Sequence, residues 1–413
     1  MSNRSIYRTM QSDHFPNQLE LSFQDSGSRQ TLFYEKVSWE VDGERRGLRY
    51  GENPDQPAAL YRLVNGNLCL GEVECIRSGQ WLASDVELLQ SGKHPGKINI
   101  TDVDSGLNIL RYFTAEPAAV IIKHNNPSGV AVRSSLEEAY LTAFWADPVA
   151  AFGGALVVNR PVDRPTAEAV AERYVEVVCA PEYEKGALEI LSARKNLRIM
   201  RIGNMERLQE YVGRHTLDFK SLIDGGLVCQ WSYVPRLFAP EELEAATTEY
   251  KGTRYAVERQ PTAREREDMI FGWLVESGVT SNSVLYVKDR ATVAIGTGEQ
   301  DRVGVAEIAR DKAYRKRAER IAQDEFSRPF SQLQEGDRRA VEASAAAQKG
   351  GLAGSTMVSD GFFPFRDGVE VGLKAGVSAV IQPGGSLRDF ESIEACNEYG
   401  ATMVFTGQRS FRH

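Results

Sequence analysis

Lys123 and His124 stand side by side directly after the apolar run Ala118-Ala119-Val120-Ile121-Ile122. That run reads as a buried strand. The residues that follow, Asn125-Asn126-Pro127-Ser128-Gly129, read as a polar loop at its end. Loops at strand ends are where α/β proteins commonly place chemistry. A histidine there can take a proton near neutral pH. An adjacent ammonium can polarise a carbonyl and stabilise the developing oxyanion. The chain has five histidines, so one in this setting is a candidate for proton transfer. A surface lysine beside a capping or part-buried histidine would give the same pattern.

Three further stretches carry candidate chemistry. Thr280-Ser281-Asn282-Ser283 opens a strand pair that ends in Gly296-Thr297-Gly298-Glu299-Gln300-Asp301-Arg302. Asn282 offers a donor and an acceptor, as recognition of an amide or carbonyl requires. Asp301 fills the place of the third glycine, so a dinucleotide fingerprint is incomplete. Phe362-Phe363-Pro364-Phe365-Arg366-Asp367 reads as a stacking wall for a flat ring or as an aromatic anchor for a loop. The terminal Arg409-Ser410-Phe411-Arg412-His413 could bring Arg409 to an anionic group if Phe411 is buried. A catalytic zinc is disfavoured, because Asn126 stands where a deaminase's H-x-E would need its acid and no CxxC exists.

These residues need elements to hold them. Residues 105–215 alternate strand-like and helix-like segments, with helices expected at Leu107–Phe113, Leu136–Trp145 and Arg164–Val175. The second half repeats this: strands at Ser283–Val287 and Ala291–Ile295 around the turn Asp289-Arg290, a strand at Ser378–Ile381 and a last one at Met403-Val404-Phe405. Residues 311–353 read as a helical insert, and residues 1–48 as a polar extension with one or two short strands. Alternation of this kind predicts an α/β layered fold. A faint echo between Ala119-Val120-Ile121-Ile122-Lys123-His124 and Ala379-Val380-Ile381-Gln382-Pro383-Gly384 hints at two related halves.

Composition bounds the partners. The 413 residues suffice for two or three domains, with no apolar run as long as a membrane span. Polar sequence at Met1-Ser2-Asn3-Arg4-Ser5 predicts no signal peptide. The five cysteines are scattered, as suits reduced thiols in a cytoplasm. A net charge of −8 argues against a general nucleic-acid footprint, although local arginines can still bind a small anion.

Taken in order, RYGENPDQ, IKHNNPSG, AFGG, VVCAPEYEKGAL, SNSVLYVKD, GTGEQDR, DGFFPFRD, IQPGGS and RSFRH resemble the transformylase part of the bifunctional purine biosynthesis family, AICAR transformylase fused to IMP cyclohydrolase. The resemblance runs from Arg49 to His413. It implies formyl transfer from 10-formyltetrahydrofolate to the 5-amino group of AICAR, giving FAICAR and tetrahydrofolate. It implies two cytidine-deaminase-like α/β/α subdomains without the deaminase zinc, at 49–220 and 221–413, the second carrying the helical insert. It also implies a cytoplasmic homodimer with a shared site and no catalytic metal.

By the same resemblance, His124 is the general base, Lys123 stabilises the transition state, and Asn282 acts beside them. Arg49, Tyr50, Gly153, Glu176, Asn282, Arg302, Phe362 and Arg409 contact AICAR, with Arg302 reaching across the dimer. Val303, Asp367, Ser386 and Leu387 line the folate side. Glu176 departs from the family's aspartate, and its extra methylene moves the carboxylate by about a bond length. Only 48 residues precede Arg49, so the cyclohydrolase domain is expected to be absent and a separate cyclohydrolase to be needed. A non-catalytic nucleotide-binding homologue and a formyltransferase for a related aminoimidazole ribotide are the competing expectations.

Overall fold

The computed structural model describes residues 15–25, 27–53, 56–66, 69–70, 73–74 and 81–413. Met1–His14, Pro54, Asp55 and Cys75 lie outside the described residues, as do the parts of the extension and of the Arg49–Pro57 loop that they form. The protein is mixed α/β, as the alternating pattern predicts.

The chain divides into two compact units. The first comprises residues 1–117, 122–125 and 152–234; the second comprises 118–121, 126–151 and 235–413. In the first unit, strands Ala155–Val158, Val177–Ala180 and Arg198–Arg201 run parallel, and Glu87–Gln90 adds antiparallel. The first two are wholly buried, so they read as continuous apolar runs without alternation. The polar extension forms a hairpin with eight paired positions, Gln18–Asp25 on Ser28–Lys36, with Tyr61–Gly66 as a third strand. This is longer than the short strands expected.

In the second unit, Thr356–Ser359, Ala379–Gln382 and Thr402–Phe405 run parallel. Val284–Lys288 and Ala291–Gly296 continue the sheet antiparallel around a turn in which Asp289 and Arg290 both have φ 52°. Residues 311–353, expected to be helical, take in the greater part of the 25-residue helix Arg302–Phe326 and then Glu335–Ala347.

Two expectations need correction. Asn126–Val132 is a strand, not a loop, so the polar segment after Ile122 shrinks to the turn His124-Asn125. Gly129 belongs in that strand because an added Cβ would lie 1.9 Å from the Ala143 carbonyl oxygen of the helix packed over it. The internal echo is also set in the wrong register. The order helix, strand, strand, helix, strand, helix, strand, helix, strand runs from Lys97 to Arg201, with one extra turn of helix at Pro148–Ala151, and again from Ala263 to Phe405 apart from the Glu335–Ala347 addition. In that order Ala118–Lys123 corresponds to Val284–Lys288, and Ala379–Gln382 corresponds to Val177–Ala180. Short apolar strands look alike, so a six-residue match could not choose among them.

Candidate functional site

The turn at residues 124–125 is built by a helix. Lys97–Leu110 presents Asp102, which is 5% exposed, and its Oδ1 accepts the Asn125 amide at 2.7 Å. The His124 amide also bonds this carboxylate. Both turn residues have positive φ, 55° and 61°. That conformation costs a non-glycine residue free energy, and hydrogen bonds to both amides offset it. The outcome is an exposed imidazole on a fixed backbone. Burial pushes the Asp102 carboxyl up; the Asn125 amide, and after it the His124 amide, pull it the other way.

Lys123 is half-buried, and its Nζ donates to the Phe152 carbonyl at 2.7 Å. Phe152 is exposed and packs against Tyr174, ring centroids 4.8 Å apart. Gly153 follows with φ 76°, and a Cβ there would stand 3.8 Å from Glu176 Oε1. Glu176 in turn faces Arg198, Oε2 to Nη1 3.4 Å. Arg198 is one of the largest fully buried side chains. Burial draws its guanidinium down from its ordinary value and Glu176 restores part of that. Arg49 stacks 4.4 Å from the Tyr50 ring centroid and donates from Nη2 to its hydroxyl at 2.7 Å. The Arg49 amide bonds the Pro95 carbonyl and the Lys97 amide bonds the Tyr50 carbonyl, which locks the pair to the start of the Asp102 helix. The first unit thus gathers Arg49, Tyr50, Lys123, His124, Gly153 and Glu176 around one helix start and two strand ends.

The second unit holds a separate cluster. Arg302, first residue of its helix, pairs with the fully buried Asp360 and donates from Nη2 to Asn282 Oδ1 at 2.8 Å. Ser281 Oγ also donates to Asp360, at 2.5 Å. Glu276 is wholly buried beside them and accepts from Ser283 Oγ at 2.6 Å. Burial first, and the Asp360 charge second, push its carboxyl well above the ordinary range. Arg409 lies 4.8 Å from the Phe411 ring and Arg302 lies 5.9 Å from the same ring. Phe411 itself is 38% exposed, so it is not the anchor of the tail. Backbone bonds anchor it instead: the Ser410 amide to the Asp360 carbonyl and the Ser281 amide to the Arg412 carbonyl.

The aromatic run splits in two. Phe363 is fully buried in the core, whereas Phe362 and Phe365 are exposed. Only the exposed pair can meet a ligand. Asp367 sits in the first turn of Arg366–Lys374, and Val303 is the second residue of the Arg302 helix. Ser386 Oγ accepts the Arg388 amide and Leu387 is 89% exposed. No group of three or more His, Cys, Asp or Glu is placed to hold a metal ion among the described residues. No helix among them is long and apolar enough to cross a membrane.

Sequence reasoning missed Asp102, Arg198, Asp360 and Glu276. Asp102 had one usable signal, a carboxylate between Ile100 and Val103 in a helical apolar pattern.

Residues 5–312 match the family described as the AICARFT/IMPCHase bienzyme. The chain belongs to that family. Among its relatives, the bifunctional purine biosynthesis protein PurH of Acetivibrio thermocellus is 35% identical over 401 residues, which is 97% of this chain and 62% of that protein. The PurH of Magnetococcus marinus is 38% identical over 369 residues, 89% of this chain and 59% of that protein. The chain therefore spans about three fifths of the length of these relatives.

Proposed function

We propose that this protein transfers the formyl group of 10-formyltetrahydrofolate to the 5-amino group of AICAR, giving FAICAR and tetrahydrofolate. The observation that carries this reading is the Lys123-His124 pair at a strand end, the lysine half-buried as the strand's last residue and the histidine exposed on the pinned turn that follows, in a chain of the PurH family. The AICAR amine is a weak nucleophile because its lone pair is conjugated with the ring. His124 removes its proton as nitrogen attacks the formyl carbon, and the tetrahedral oxyanion forms. Lys123 spends one N–H on the Phe152 carbonyl and has two left for that oxygen. Collapse expels the folate N10, which takes up a proton as tetrahydrofolate leaves. General base work supplies about 10² to 10⁴ in rate and an oxyanion donor about 10² to 10³. Arg49, Tyr50, Gly153, Glu176, Asn282, Arg302, Phe362 and Arg409 hold the nucleotide. Val303, Asp367, Ser386 and Leu387 face the folate. The working form is a homodimer, and no metal takes part.

The test is direct. Protein mixed with AICAR and 10-formyltetrahydrofolate should release tetrahydrofolate, and a well-folded protein that releases none removes the proposal. His124→Ala should lose about 10²-fold or more in kcat with a modest change in AICAR affinity. Arg49→Ala and Arg409→Ala should mainly weaken AICAR binding; unchanged affinity in both would refute the anion assignment.

A further inference from the structure

We infer that Asp102 is a positioning residue for His124: its carboxylate clamps the amides of the His124-Asn125 turn and so fixes where the imidazole stands. This rests on the reading of His124 as the base, and it adds a residue that the motif resemblance did not supply.

The argument comes from a duplication inside the chain. Asp102 is the sixth residue of the 14-residue helix Lys97–Leu110, and Asp268 is the sixth residue of the 14-residue helix Ala263–Glu276. Asp268 Oδ1 accepts the Arg290 amide at 2.7 Å, and the Asp289 amide bonds the same carboxylate. Asp102 makes the same pair of contacts with Asn125, also at 2.7 Å, and His124. Both turns have two consecutive non-glycine residues at positive φ, 55° and 61° in the first, 52° and 52° in the second. Both carboxylates are buried. The fold therefore uses one device twice, an aspartate on the sixth position of a helix that stabilises a left-handed two-residue turn. In the second copy the turn carries Asp289 and Arg290, and Asp268 is further paired with Arg264 at 2.9 Å. In the first copy the same device carries the residue that does the chemistry.

Loss of the clamp frees a turn that its own backbone preferences oppose. A misplacement of about 1 Å at a reacting group costs on the order of 10² in rate. The second copy supplies a control within the same molecule. Asp102→Ala should lower kcat by about 10²-fold with the KM for AICAR within about threefold. Asp102→Asn retains one acceptor oxygen and should recover most of that loss. Asp268→Ala should destabilise the protein without changing kcat at a temperature where it stays folded. Equal kcat losses in Asp102→Ala and Asp268→Ala would show a general structural role and overturn the inference, as would wild-type kcat in Asp102→Ala. Hydrogen exchange of the peptide spanning residues 122–127 gives a second readout that needs no substrate. Exchange should quicken in Asp102→Ala and stay near wild type in Asp102→Asn. If the wild type proves inactive toward AICAR, the functional reading fails while this exchange result still decides whether the clamp exists. Unchanged exchange in Asp102→Ala would refute it.

Discussion

Replacing Asp360 by asparagine should be among the most damaging single changes near the second cluster. Its carboxylate is fully buried, and the Arg302 side chain that it neutralises is 9% exposed. Removing one partner of a buried pair leaves the other charge without compensation, at a cost of about 3–5 kcal/mol. Asparagine keeps an oxygen that can accept from Arg302 or Ser281, so we take the lower figure, about 3 kcal/mol. For a cooperative unit of about 200 residues, each kcal/mol moves the melting temperature by roughly 2–4 °C. A fall of about 6–12 °C is expected by calorimetry, with a matching drop in the urea midpoint at unchanged slope. Arg302→Met should also destabilise, because it strips the buried Asp360 of its partner. The double variant leaves neither charge in the core and should cost less than the two single losses added together. A melting shift below about 2 °C for Asp360→Asn, or strict additivity in the double variant, would refute the claim that the pair is held as mutually neutralising buried charges.

Two further predictions concern stability. Burial pushes the Glu265 carboxyl up, but hydrogen bonds from Arg259, Ser378 and Thr262 outweigh it and bring it from 4.5 down to about 2. A depressed carboxylate contributes stability above its unfolded value and loses it as pH falls toward the folded one. About 2 kcal/mol should therefore vanish between pH 4.5 and 2, after allowing for the water that reaches Arg259. Urea titrations across that window should show a shallower acid slope in Glu265→Gln, and an identical slope would refute the linkage. Gly129→Ala should cost at least about 3 kcal/mol, since its Cβ would collide with the Ala143 carbonyl and the backbone must move. Soluble expression with an unaltered melting temperature would contradict this.

The layered α/β character was legible because most elements carry their own punctuation. Ser135 caps Leu136–Ala146 by accepting the Glu138 amide, where the serine pair and acidic first turn predict a helix start. Asp289-Arg290 falls between two β-branched runs and makes the expected turn. Lys123 and His124 were legible because charge at the end of an apolar run is conspicuous. What escaped depends on pairings remote in sequence. Arg198 reads as one arginine among many until a strand carries it beneath Glu176, 22 residues away. Asp360 gains its meaning only when Arg302, 58 residues away, arrives beside it. The Asn126–Val132 strand was hidden by its asparagine, proline and glycine, residues that usually break strands.

The duplicated turn leaves the protein with a spare mount. Lys288 already stands before the Asp289-Arg290 turn, as Lys123 stands before His124-Asn125. One substitution, Asp289→His, would recreate the lysine–histidine order on a backbone of the same handedness, gripped by its own aspartate. An engineer wishing to separate what the lysine–histidine pair contributes from what its surroundings contribute thus has two seats for one pair of side chains within a single polypeptide.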